Sequence, residues 1–187
     1  MLRRILLSGA LGWVAVLLYT FVANVVFGFT NRVAMNRVPN ERAVYAVLKE
    51  NVVAPGAYIV NPEPAPGGPF PAGEPVFGLR FSGMGHEAAG RMFRVELALG
   101  FLPMLLAAGL LSVTSAQVLS RYFHKVLFIA SIGLLLAVIG DLTKFGIGGY
   151  PASSALLLAA NTVASWTLAG LVMAWAMRAP EEARGTP

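Results

Sequence analysis

Four stretches of this chain are apolar and almost free of charge, and polar positions are gathered between them. The first, "ILLSGALGWVAVLLYTFVANVVFGF", runs from Ile5 to Phe29. At about 1.5 Å of rise per residue, a helix of this length exceeds the ~30 Å thickness of a hydrocarbon layer. The second begins after Arg94 and runs to about Leu119, with Glu96 at its outer end and Pro103 a few turns in. The third, Val126 to Gly140, is shorter. It reaches spanning length when Tyr122, Phe123 and Leu142 occupy the interfaces, where aromatic side chains are favoured. The fourth, Ala152 to Met177, is long enough to span with tilt. The pattern predicts a mainly α membrane protein, a four-transmembrane-helix bundle.

The Met-Leu-Arg-Arg start invites a secretory-signal reading of the first span. A signal's apolar region is only about 7–15 residues long and ends at a small-x-small site. The stretch is too long and Phe21-Val22-Ala23 is a poor site, so an uncleaved anchor is expected.

Between the first two spans the periodicity changes. "VPNERAVYAVLKEN" reads as a helix opened by Asn40 as N-cap after Pro39, with Glu41 in the first turn, where negative charge suits the helix dipole. Val44, Val47 and Leu48, with Tyr45 beside them, recur at helical spacing, and Pro55-Gly56 marks a stop and turn. "AYIV" (57–60) and "VFGLRF" (76–81) are β-branched and aromatic runs that read as strands. Between them lies "NPEPAPGGPFPAGEP" (61–75). Its prolines favour a stiff extended path, and Gly67-Gly68 permit one sharp turn. The expected division is 1–29 for the first helix, 30–94 for a small extracytoplasmic α+β insert with its Pro-rich loop, and 95–187 for helices two to four and a short tail. No internal repeat of the transporter kind relates the two halves.

Composition fits a bilayer as solvent. The 187 residues are 57% hydrophobic and only 12% charged, against about 25% charged in soluble domains. The net charge of +5 gives a pI near 10.0, yet the bases are scattered. No run of Lys and Arg forms a nucleic-acid or anionic-lipid patch, so no nucleic-acid partner is expected. The absence of cysteine rules out disulfides, thiolate metal sites, iron–sulfur clusters and thioether-linked haem. With the N-terminus inside, the short inner segments hold Arg3, Arg4, Arg121, Lys125, Arg178 and Arg184. Eight further bases fall in the insert and the last loop. Loops longer than about 60 residues cross largely regardless of charge, so base density places both termini in the cytoplasm.

Candidate chemistry is sparse. His86-Glu87 begins a metalloprotease motif, but the second histidine it needs is Gly90. The other histidine, His124, is expected on the opposite side of the membrane, so the two cannot ligate one haem or metal, and no cofactor is expected. Glu96 and Asp141 are the sharper pair, since ionisable groups at membrane depth are costly. With Arg94 and Lys144 nearby they read either as a cation- or proton-binding cluster or as paired interfacial carboxylates. Asn24, Gln117, Asn161, Thr162, Ser165 and Thr167 are polar residues within spans, suited to interhelical hydrogen bonds. Small residues four apart, Ala160/Ala164, Ser165/Ala169 and Ala108/Ser112, favour close helix approach. No Walker loop or nucleophile elbow is present, and Gly146–Gly149 reads as a turn.

"PNERAVYAVLKEN…PGAYIV" (39–60), set between one membrane helix and three later ones, resembles uncharacterised small bacterial inner-membrane proteins with four helices and a Pro-Asn-Glu-containing insert. The resemblance implies a multi-pass protein of the bacterial inner membrane and a shared fold, and it brings no catalytic residue with it. The layout is also similar in outline to claudin-like proteins, whose loop cysteines are missing here.

These readings favour an accessory, assembly or scaffold protein rather than an enzyme. Its partners would be membrane lipid and another membrane protein or a second copy, with Phe70, Tyr58 and Arg80 as docking candidates. The alternatives are a small-solute or ion carrier centred on Glu96 and Asp141, and an interfacial enzyme acting on lipid or quinone through His86, Glu87 and Glu96.

Overall fold

The computed structural model describes residues 1–34, 36–60, 73, 75, 77–146 and 149–177. The chain divides into two compact units, Met1–Asn36 with Leu97–Pro187, and Arg37–Glu96.

In the first unit, α1 (Leu2–Phe21) continues into a π-helical turn, Val22–Val26. Gly28, at φ 60°, ends it. This left-handed conformation lets the N–H groups of Phe27 and Gly28 donate back to the carbonyls of Val22 and Asn24, at 3.2 and 3.1 Å. The Asn24 amide oxygen also accepts from the main-chain N–H and the hydroxyl of Thr30, at the start of the short α2 (Phe29–Ala34). Asn24 therefore ties a local turn; it does not reach another span.

Four helical segments are long and apolar enough to cross a membrane: Leu2–Val26, Phe93–Val113, Tyr122–Phe145 and Ala152–Ala176. The second ends earlier than hydropathy implied. The helix that carries it, labelled α4 after the insert's α3 (Glu41–Asn51), runs Gly85–Val113. Ser115 then turns extended (ψ 150°) and opens the four-residue α5 (Ala116–Leu119). Ser and Thr favour such breaks because their hydroxyls compete for main-chain groups. Gln117 accordingly lies exposed on α5, outside the span.

The third span is longer than its charge-free run. α6 (Tyr122–Ala137) passes through a second π turn, Val138–Leu142, into α7 (Thr143–Gly146). It takes in Lys125, Asp141 and Lys144, which the charge-free criterion had cut away. The fourth span is α8 (Ala152–Ala176).

One core joins these spans. Met104, Ala107, Ala108 and Leu111 of α4 meet Ile129 of α6 and Trp166, Ala169 and Met173 of α8, flanked by Ile5, Trp13 and Val16 of α1. The spacings of three, four and seven put each set on one helical face. Small residues set the approach: a Cβ added at Gly133 would lie 2.3 Å from Cβ of Trp166, and one at Gly170 would lie 3.1 Å from the Val126 carbonyl oxygen. Leucines take the opposite faces. Leu99, Leu102, Leu106 and Leu110 are all exposed along α4.

Most span hydroxyls bond within their own helix. Ser112, Ser165 and Thr167 donate to the carbonyls of Gly109, Thr162 and Val163. The interhelical bonds converge on α8: Ser8 to the Met173 carbonyl (3.3 Å), Tyr19 to Asn161 Oδ1 (2.9 Å) and Tyr122 to the Leu171 carbonyl (3.0 Å).

In the second unit, α3 follows Asn40, whose side chain makes no capping bond. β1 (Gly56–Val60) and β2 (Phe77–Phe81) pair antiparallel, Gly56 opposite Phe81 and Val60 opposite Phe77. No residue of α3 is buried. The stiff, extended path expected for 61–75 falls almost entirely outside the described residues.

The tight approach at Gly133 has a measurable consequence. Gly133→Ala should lower stability by about 1–3 kcal/mol, because the opposing Trp166 Cβ is fixed to its main chain and cannot swing away. Gly109→Ala meets nothing within 4 Å and serves as the control. It should be neutral or stabilising by up to about 1 kcal/mol, as helix propensity favours alanine. Thermal unfolding midpoints of both variants in one detergent check this.

Candidate functional site

The sharpest polar site lies where the third span leaves α-helical geometry. Asp141 sits in the second π turn and is only 8% exposed. A carboxylate withdrawn from water this far must be paired or hydrogen-bonded. Both oxygens are: Lys144 Nζ lies 2.7 Å from Oδ1, and Thr162 Oγ1 of α8 donates to Oδ2 at 2.5 Å. Lys144 comes from the next turn of the same helix, three residues on. Its side chain is 40% exposed, so the ammonium reaches the edge of the unit while the carboxylate stays inside.

The arrangement has two physical effects. It balances the aspartate charge locally, and it ties the third span to the fourth through one short hydrogen bond. A charged acceptor makes that bond stronger than a neutral one. Thr162 was legible in the sequence only as one of several span hydroxyls; nothing there distinguished it as the partner of Asp141.

The structure thus brings Asp141 and Lys144 together and adds Thr162. Arg94 and Glu96 are exposed on α4 within the second unit, and neither forms an ion pair among the described residues. His86 and Glu87 fall in the first turn of α4, with side chains outside the described set. His124 is half-buried, its Nδ1 3.1 Å from the Gln117 carbonyl oxygen. Among the described residues, no three His, Asp or Glu side chains gather as metal ligands would.

A second feature belongs to the Arg37–Glu96 unit. A groove of about 300 Å³ runs between α3 and β2. Leu48, Val53, Leu79 and Phe81 supply apolar surface, and Lys49 and Arg80 supply positive charge, with no carboxylate among the described lining residues. Arg80, a docking candidate from the sequence, is therefore part of it. Tyr58 is not; it is half-buried and its hydroxyl donates to the Ala54 carbonyl. Phe70 lies outside the described residues.

One further residue was misjudged from sequence. Lys125, counted among the flanking charges of a loop, is buried one turn inside α6. The signal was available: Tyr122 and Phe123 begin the apolar run, so Lys125 follows them into the helix.

No family model matches the chain, and neither the curated proteins nor the solved structures include a significant match to it.

Thr162→Val should cost about 1–2 kcal/mol, the upper end for interhelical bonds in membrane proteins, because the acceptor is charged. In an Asp141→Asn background the same substitution should cost less than half as much. Equal costs in the two backgrounds, measured by reversible unfolding in detergent, would show that Thr162 does not act through the carboxylate.

Proposed function

We propose that this chain is a multi-pass integral membrane protein that serves as an accessory or scaffold subunit. In this reading it lies in a bacterial inner membrane with both termini cytoplasmic, and its Arg37–Glu96 unit docks an apolar, acidic segment of a partner membrane protein. The membrane reading rests on four spans of sufficient length whose outward faces are leucine-rich, as along Leu99, Leu102, Leu106 and Leu110. Apolar faces that large are not left bare in water. The docking reading rests on the groove. Its apolar lining is open, α3 contributes no buried residue to its own unit, and Lys49 and Arg80 lack a counter-charge among the described lining residues. An amphipathic partner segment with acidic residues would cover the apolar surface and balance both cations.

A photo-crosslinking residue at Leu79 should trap one discrete partner in native membranes. Arg80→Glu and Val53→Asp should each reduce that product about tenfold, as expected for a contact near the centre of an interface. A chain that runs only as an uncrosslinked monomer, in cells and in mild detergent, would remove the docking reading.

The lack of cysteine makes orientation directly testable. Glu50→Cys should react with a membrane-impermeant maleimide on intact spheroplasts, and Arg121→Cys only after permeabilisation. The reverse pattern would invert the topology.

A further inference from the structure

The unit that holds the spans has a second polar site, whose lining residues do not include Asp141. The starts of α1 and α6 and the ends of α4 and α8 surround a cavity of about 450 Å³, within the usual range for small-ligand pockets. Arg4 and Lys125 line it together with Ser112 and Ser120, and no carboxylate among the described residues does. Lys125 is 3% exposed, and its ammonium reaches a single oxygen, the Met177 carbonyl, at 3.4 Å. That contact is long, and it engages one of three N–H groups. Lys125 also stands in the first turn of α6, where the helix dipole disfavours a cation. A withdrawn ammonium needs an opposite charge.

Capping of the α8 carbonyls by Lys125 accounts for one of its N–H groups. It leaves the other two, and the neighbouring Arg4, facing a cavity without counter-charge among the described residues. Ser112 and Ser120 now donate to the Gly109 and Gln117 carbonyls, at 2.6 and 3.0 Å. Both carbonyls are main-chain groups three residues back, so either hydroxyl can rotate toward a ligand.

We propose that this cavity binds a phosphate-bearing anion between Arg4 and Lys125. The arginine fork and the free lysine N–H groups match the several oxygens of a phosphate. The source is either the headgroup of an anionic phospholipid, whose tails would follow the leucine-rich faces outside, or a free phosphate from solution. This proposal rests on the membrane reading above and is independent of the docking groove.

The test uses the full chain reconstituted in phosphatidylcholine vesicles with trace spin-labelled lipids. Flotation with the vesicles is scored first; a chain that does not float fails the membrane reading, and this proposal with it. For a chain that floats, immobilised spin-labelled phosphatidylglycerol should exceed phosphatidylcholine about tenfold, the worth of one charge-assisted hydrogen bond. The preference should vanish in Arg4→Gln and Lys125→Met, return in Lys125→Arg, and survive in Arg32→Gln, which lies beyond the far end of the first span. Arg4 is exposed, so Arg4→Gln keeps the test valid should Lys125→Met fail to fold. Persistence of the preference in excess inorganic phosphate identifies the headgroup as the occupant. If phosphate abolishes the preference, and itself protects the wild type but not Arg4→Gln against thermal unfolding, the occupant is the free anion. A chain that floats with no preference and no phosphate protection, or with a preference unchanged in both variants, overturns the proposal while leaving the membrane reading intact.

Discussion

Where Gly133 lacks a side chain, the Cβ of Trp166 stands 2.3 Å from the place a methyl group would take. Gly12 meets the Met173 side chain in the same way, and Gly100 meets the Trp13 ring. In lipid, leucine faces gain little by leaving their surroundings, so helix association rests on close van der Waals fit and a few hydrogen bonds. The spacing between α6 and α8 therefore governs the polar features built across them. Thr162 reaches Asp141 because those helices approach closely, and the Lys125 ammonium meets the end of α8 for the same reason.

The two units hold together by different means. The spans share a core of Met, Leu, Ile and small residues, with every buried side-chain polar atom among the described residues hydrogen-bonded. The Arg37–Glu96 unit has a two-stranded sheet and a helix with no buried residue. A lone hairpin is marginally stable in water and gains from any surface that covers it. The apolar groove between α3 and β2 is lined by such uncovered surface, and the docking reading starts from it.

Much of this architecture was legible in the chain. Uninterrupted apolar runs located four long helices, and the β-branched and aromatic runs at 57–60 and 76–81 located the strand pair, because such side chains fit a pleated surface. The ends were less legible. Hydropathy carried the second span through Thr114 and Ser115, since it does not register a hydroxyl's competition for main-chain groups. The third span was cut short because a charge-free criterion discards Lys125, Asp141 and Lys144, of which the last two satisfy each other locally. Pairings between distant residues left no trace at all. Asp141 was visible as costly and Thr162 as ordinary, and only the packing of α6 on α8 joins them. Likewise, Arg4 and Lys125 form no basic run in the sequence, because two separate helices bring those charges together.

The π turn at Val138–Leu142 has a bearing on how this chain tolerates changes in length. Its main-chain bonds close over one residue more than an α turn, so the helix has in effect absorbed an extra residue without breaking. Loss of one residue there would restore ordinary α hydrogen bonding and leave the helix beyond it nearly in phase, whereas loss of one residue from a regular α stretch would turn everything beyond it by about 100°. The third span can therefore lose a residue at this turn at little cost to the packing on either side. The cost would fall on the turn itself, which sets the Asp141 carboxylate against Thr162.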